Sequence, residues 1–177
     1  ADGGDADRVR FADPGNWEPD VRAVEQGLYD AVMNVRAWEP FQGNTPPEEV
    51  VILEFDSVGV APHHSYFLSV RQDLLERNPE FVRAFLAGTE RGYREAMDDE
   101  DAAVEAMSWP MCHVNPSVLR ASLRAIRDSW FTPAGRWGQI QEGLVTTYTE
   151  WMESGGWLEE GSSIESLKGA WTNAFLP

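Results

Sequence analysis

The stretch GLYDAVMNVRAWEP, residues 27 to 40, decides how the rest of the chain is read. It opens as a short apolar run of the kind that hides inside a sheet and closes in Trp38-Glu39-Pro40. A strand that delivers an indole and a carboxylate to its own exit has the makings of a ligand site at a strand end. The bland alternative is a solvated Glu before a Pro turn.

Working outward, three strands are expected: DAVMNV (30 to 35), VVILEF (50 to 55) and SYFLSV (65 to 70). The second is β-branched and continuous, as in a strand buried on both faces. VRFAD (9 to 13) reads as a further short strand that runs into the turn Pro14-Gly15. Glu18-Pro19-Asp20 starts a helix with Val21, Val24 and Leu28 on one face, and Gly27 closes it. The stretches QGNTPPEE and DSVGVAPHH read as loops.

After Arg71 the pattern turns helical. Asn78-Pro79-Glu80 and Asn115-Pro116 are both an N-cap followed by Pro at the first helical position. Phe81, Phe85, Leu86 and Tyr93 follow the first at helical spacing, and Leu119, Leu123, Ile126 and Trp130 the second. Asp98 to Met107 gives a short acidic helix. Thr132-Pro133 precedes a helix expected to carry Trp137, Ile140, Leu144, Tyr148 and Trp151, stopped at Gly155-Gly156. A last short helix spans 164 to 168. With strands first and helices after, the fold class is α/β. Three or four strands are few to lie under five helices.

The chain of 177 residues is long enough for a real core, as one domain or two small lobes. Thirty acidic side chains against fourteen basic give a formal charge of −16, and such a field repels nucleic acid and anionic lipid. Lys168 is the sole lysine. That surplus of acid resembles proteins of salt-loving organisms; an acidic protein from a high-GC genome is the other reading. Cys112 is the only cysteine, which excludes an intrachain disulfide and a zinc site of several thiolates. No run approaches the roughly 20 apolar residues of a membrane span. The start, ADGGDADRVRF, holds no secretory signal and reads as an arbitrary entry point.

Four stretches taken together carry a resemblance. LYDAVMNVRAWEP, VVILEFDSVGV, NPEFVRAFLAGTERGYREAMDDEDAAVEAM and the tail WTNAFLP resemble, in order, segments of periplasmic solute-binding proteins for thiamine pyrimidine precursors. This is the ThiY-type, SsuA-like group, related to alkanesulfonate, taurine and nitrate binders. The resemblance runs over roughly residues 20 to 177 and implies a type II periplasmic-binding-protein-like fold. In that fold two lobes joined by strands close on a ligand by a hinge. It implies residues 1–70 as part of the second lobe with the crossing strands, and 71–177 as the C-terminal helical part of the first lobe. Members of the group have nearly twice this length. The expectation is therefore a fragment, or a shortened relative that completes its sheet with another copy as a homo-oligomer.

The resemblance implies an ABC-importer component outside the cytoplasm, lipid-anchored in its full form, with a permease as partner, an aminopyrimidine as ligand and no cofactor. Glu39 is the first ligand candidate, because a carboxylate receives amine N–H donors well. Trp38 beside it could stack on a ring. Asn34 and Arg36 share a strand face, and Asp56, Tyr66 and His64 flank the implied lobe crossing. Val58 stands where the group often has Tyr, which bears on ligand identity. His63 and His64, adjacent on an extended chain, point to opposite sides and do not share a metal. Cys112-His113 lacks the geometry and third group of a nucleophile and base.

Three functions compete. The first is a pyrimidine-binding importer component, with a sulfonate- or nitrate-type binder kept open by Arg36. The second is a pyrimidine-synthase-like enzyme, for which one Lys and one Cys leave the reactive machinery without residues in this chain. The third is an oligomerising remnant with no transport role.

Overall fold

A computed structural model describes residues 4–12, 21–46, 49–167 and 169–177. The start of the first expected helix at Glu18-Pro19-Asp20, and the end of the strand expected over 9 to 13, lie outside them. Regular structure among the described residues is helical. It comprises α1 (Val21–Glu25), α2 (Gln72–Arg77), α3 (Pro79–Asp98), α4 (Glu100–Ser108), α5 (Pro116–Ile126), α6 (Glu142–Ser154) and α7 (Ile164–Leu167), joined by irregular segments and short 3-10 turns.

Local chemistry explains these bounds. The Asn78 side chain accepts from the Phe81 N–H at 3.3 Å, with Pro79 inside the first turn of α3. Asn115 accepts from the Ser117 N–H at 2.9 Å and opens α5 in the same way. Asp98 ends α3 instead of starting the next helix; Asp99 is the cap, accepting from the Ala102 N–H at 3.0 Å. α1 ends as expected at Gly27, whose N–H reaches the Val24 carbonyl while the Leu28 N–H reaches Ala23, both at 2.9 Å. The same paired closure ends α6, from Gly156 to Glu153 and from Trp157 to Met152, each at 3.0 Å.

The helix expected behind Pro133 starts later than its aromatic spacing predicts. Gly135 and Gly138 both sit at positive φ, 74° and 67°, where a side chain is strained and a helix cannot run. Phe131 and Trp137 form an antiparallel bridge instead, and the Thr132 N–H donates to the Arg136 carbonyl at 2.8 Å. Trp137 and Ile140 therefore belong to this loop, and α6 begins only at Glu142.

Segments 30 to 35, 50 to 55 and 65 to 70 pair into no ladder among the described residues. Without a neighbour to take its N–H and C=O groups, an apolar run forms no sheet however strong its β propensity. In 50 to 55 and 65 to 70 most side chains stand open: Val51 is 86% exposed and Tyr66 75%. The folded chain presents 13734 Å² to solvent, against roughly 8,700 Å² for a compact monomer of this mass.

The core is small and helical. Val104 of α4 and Leu119 of α5 are each 5% exposed, and these two helices pack together, with α3 against α4 and α2 against α3. An ion cluster straps α4 to α5. Glu100 bonds Arg120 at 2.7 Å and Arg124 at 2.7 and 2.8 Å, and Arg127 approaches to 3.9 Å. Tyr93 of α3 meets Trp130 edge-on at 4.8 Å and Trp137 at 5.3 Å. The C-terminal tail is tied down at Asn173, Ala174 and Phe175. The Asn173 side chain pairs with both backbone groups of Ile140, and Arg83 lies over the Phe175 ring at 4.9 Å while donating to the Ala174 carbonyl at 2.7 Å.

Candidate functional site

A broad, open concavity runs between the irregular segments and the helices. Asn34, Arg36, Glu39, Asp56, His64 and Tyr66 line it, as do residues of α3 and α6. Five of the six ligand candidates thus border the same open region, which spans much of the chain, and Trp38 does not.

The stretch 34 to 41 is built as a compact turn. The Trp38 N–H donates to the Val35 carbonyl at 2.8 Å, and Glu39–Phe41 forms a 3-10 turn with Pro40 in its first positions. The Val35 N–H donates to Glu39 Oε2 at 2.7 Å, so the carboxylate folds back over the peptide that leads out of Asn34. This turn packs against α5. Glu39 is part-buried, on the concavity wall, with its orientation set by a backbone donor rather than by solvent. The residue pattern pointed to Glu39. Its anchor, the Val35 N–H four residues earlier, was not foreseen, and the Pro that fixes the turn was the available signal.

Asn34 is part-buried, and its Oδ1 is sealed from solvent with no hydrogen-bond partner among the described residues. Arg36 bonds Glu54, also on the lining, at 2.8 Å, with side chains 72% and 44% exposed. Asp56 is exposed and opens the 3-10 turn Asp56–Val58, which closes on Gly59. Tyr66 stands out from the chain.

The two histidines diverge, as adjacent residues on an extended chain should. His63 stacks on Tyr148 of α6 at 4.4 Å, and its Nδ1 lies 3.0 Å from the Ala61 carbonyl. His64 Nε2 accepts from the Gln141 N–H, the cap position of α6, at 2.9 Å, and its ring meets Phe67 edge-on at 6.0 Å. An imidazole that accepts at Nε2 is neutral and carries its proton on Nδ1. Burial first, and then the neighbouring His63, push its pKa below the ordinary histidine value. Among the described residues, His64 is therefore the candidate that ties the 60 to 70 segment to the helical part.

Cys112 is exposed and lies with His113 in the turn between α4 and α5. No helix among the described residues is long and apolar enough to cross a membrane.

The sequence model of one family, NMT1/THI5 like, matches residues 1–103, more than half of the chain. The protein belongs to the NMT1/THI5-like family. That family holds both solute-binding proteins of ABC importers and thiamine-pyrimidine synthases, and its members bind small-molecule ligands. No curated protein matches the chain.

Proposed function

We propose that this protein is the solute-binding component of an ABC importer and grips a thiamine-related aminopyrimidine at the turn around Glu39. In this reading it is of the ThiY type and works outside the cytoplasm beside a permease. Its fold is the two-lobed α/β architecture of type II periplasmic binding proteins, with segments 30 to 35, 50 to 55 and 65 to 70 as sheet strands.

The observation that carries the reading is the part-buried Glu39 carboxylate, held over the Asn34–Val35 peptide by a 2.7 Å bond on the wall of a concavity. A carboxylate so placed receives N–H donors from an amino-substituted ring. Arg36, which an anion binder would turn inward, is engaged by Glu54, and a chain of net charge −16 repels sulfonate and nitrate.

Titration calorimetry of the full chain with hydroxymethylpyrimidine, formylaminopyrimidine and taurine tests this. Binding of the pyrimidines and not of taurine is expected. Substitution of Glu39→Gln is expected to weaken the pyrimidines by about ten- to a hundredfold, the worth of a hydrogen bond to a charged group. Silence toward all three probes overturns the reading. Binding of taurine alone replaces it with an anion binder, and an absorbance band of bound pyridoxal phosphate replaces it with a synthase.

A further inference from the structure

We propose that this chain assembles as a two-fold homodimer, in which the segment 65 to 70 of one copy pairs antiparallel with the same segment of its partner. The pairing closes the open region over 50 to 55 and over Phe81 and Phe85 of α3. It needs no ligand at Glu39, so the two readings stand or fall separately.

The open region holds about 4020 Å³, several times the roughly 300–1,000 Å³ of a small-molecule pocket. A space of that size takes a polypeptide. Its border is apolar: Val51, Leu53, Tyr66, Leu68, Phe81 and Phe85 lie on it, each more than half exposed. The chain presents roughly 5,000 Å² more surface than a compact monomer of its mass. Obligate homodimers bury roughly 2,000–5,000 Å² over both copies, so the excess is ample for one. Further features select a second copy as the occupant. No backbone group of 65 to 70 bonds another backbone group among the described residues. SYFLSV also holds no charge and no Pro, the usual guards of an open edge. A segment without charge meets its own copy with no like charges opposed. In 50 to 55 the one charged residue is Glu54, which is paired with Arg36 at 2.8 Å. Of the formal −16, the described residues around the open region carry seven acids against four arginines. Most of the repulsion between copies is therefore directed elsewhere. A two-fold normal to the paired strands sets each residue opposite itself or opposite one an even number away. Tyr66, Leu68 and Val70 of both copies then share a face.

Sedimentation velocity of the full chain in about 2 M KCl, where charge is screened, reads the assembly directly. Wild type should run as a dimer, at about twice the 19.9 kDa of one chain. Leu68→Lys and Leu68→Glu each set like charges together on the shared face and should weaken the dimer at least about a hundredfold. An equimolar mixture of the two sets Lys against Glu and should restore the dimer, which also shows that both variants fold. Trp109→Lys, at an 87% exposed site that does not border the open region, should leave the dimer unchanged. A wild-type monomer, which leaves the face to a different polypeptide, overturns the proposal, as does an open series of larger assemblies. A dimer that survives either Leu68 variant, a mixture that stays monomeric, or an equal loss in Trp109→Lys overturns the pairing through 65 to 70.

Discussion

Asn173 offers a direct test of how the tail is held. Its Oδ1 accepts from the Ile140 N–H at 2.9 Å, and its Nδ2 donates to the Ile140 carbonyl at 2.8 Å, across 33 residues of sequence. Only one orientation of the amide satisfies both partners, so the assignment of its oxygen and nitrogen follows from the network. Each bond of this kind is worth about 0.5–1.5 kcal/mol net. Asn173→Ala removes the pair and leaves both part-buried backbone groups of Ile140 to find water, a loss of roughly 1–3 kcal/mol. In a chain of this length that lowers the melting temperature by roughly 2–12 °C.

Asn173→Asp is the sharper probe. It keeps the acceptor for the Ile140 N–H but sets a carboxylate oxygen where Nδ2 stood, against the carbonyl. Repulsion raises the pKa of that new carboxyl in the folded state. The deficit should therefore be full at neutral pH and should shrink as pH falls through that raised value toward about 4, where the protonated acid donates in its turn. Urea unfolding of wild type and both variants at matched pH reads this out as a difference, which cancels effects common to all three. Asn173→Asp as stable as wild type at pH 7, or a deficit that does not change with acid, refutes the clamp.

Hydrogen bonds from Arg124 and Arg120, in that order, hold the Glu100 carboxyl down to about 2. A depressed carboxylate stabilises the fold above its unfolded value and loses that contribution as pH falls. Wild type should therefore weaken from about pH 4.5 toward 2, and Glu100→Gln should be weaker at pH 7 with a flatter acid limb in a denaturation series. His64 has the same sign for a different reason: its neutral ring accepts from Gln141, so its contribution is present above the ordinary histidine value near 6.5 and fades as pH drops through the lower folded value. His64→Ala should abolish that part of the slope, and an NMR titration of the imidazole should show it protonating below the ordinary histidine value. If the surface is adapted to concentrated salt, rising KCl screens the −16 charge and raises the melting temperature up to molar concentration; no gain removes that interpretation.

The helical half was legible because its signals are local. Asn78-Pro79 and Asn115-Pro116 announce their helices through a side-chain oxygen within three residues, and Gly155-Gly156 ends α6 for reasons equally close at hand. The misplaced start of α6 shows where periodicity misleads. Trp137 and Ile140 have helical spacing to Leu144, yet Gly135 and Gly138 override it, and Trp137 packs onto Tyr93 from a loop. For the strand candidates the sequence carries only half of the information. Val51 and Leu53 are right for a sheet, but a strand is a relation between segments, and no composition names its partner. In the site, Glu39 could be read from residue type and position. The 2.7 Å bond that aims it depends on the turn geometry after Val35.

This division bears on whether the site works as a unit. A site gains precision from the rigidity of what supports it. The exposed segments at 50 to 55 and 65 to 70 lend little support, since their apolar side chains face water. The turn at 34 to 41 is different. It is closed by the bonds Trp38 to Val35 and Val35 to Glu39, stiffened by Pro40 and backed by α5, which is itself strapped to α4 through Glu100. The carboxylate is thus oriented by sequence neighbours and a helix, independently of any sheet ladder. If that is what orients Glu39, Pro40→Gly should loosen the turn and weaken binding of an aminopyrimidine, while Tyr66→Ala, on an exposed segment, should change it far less. Equal losses from the two would mean that the outer segments, and not the turn, position the ligand.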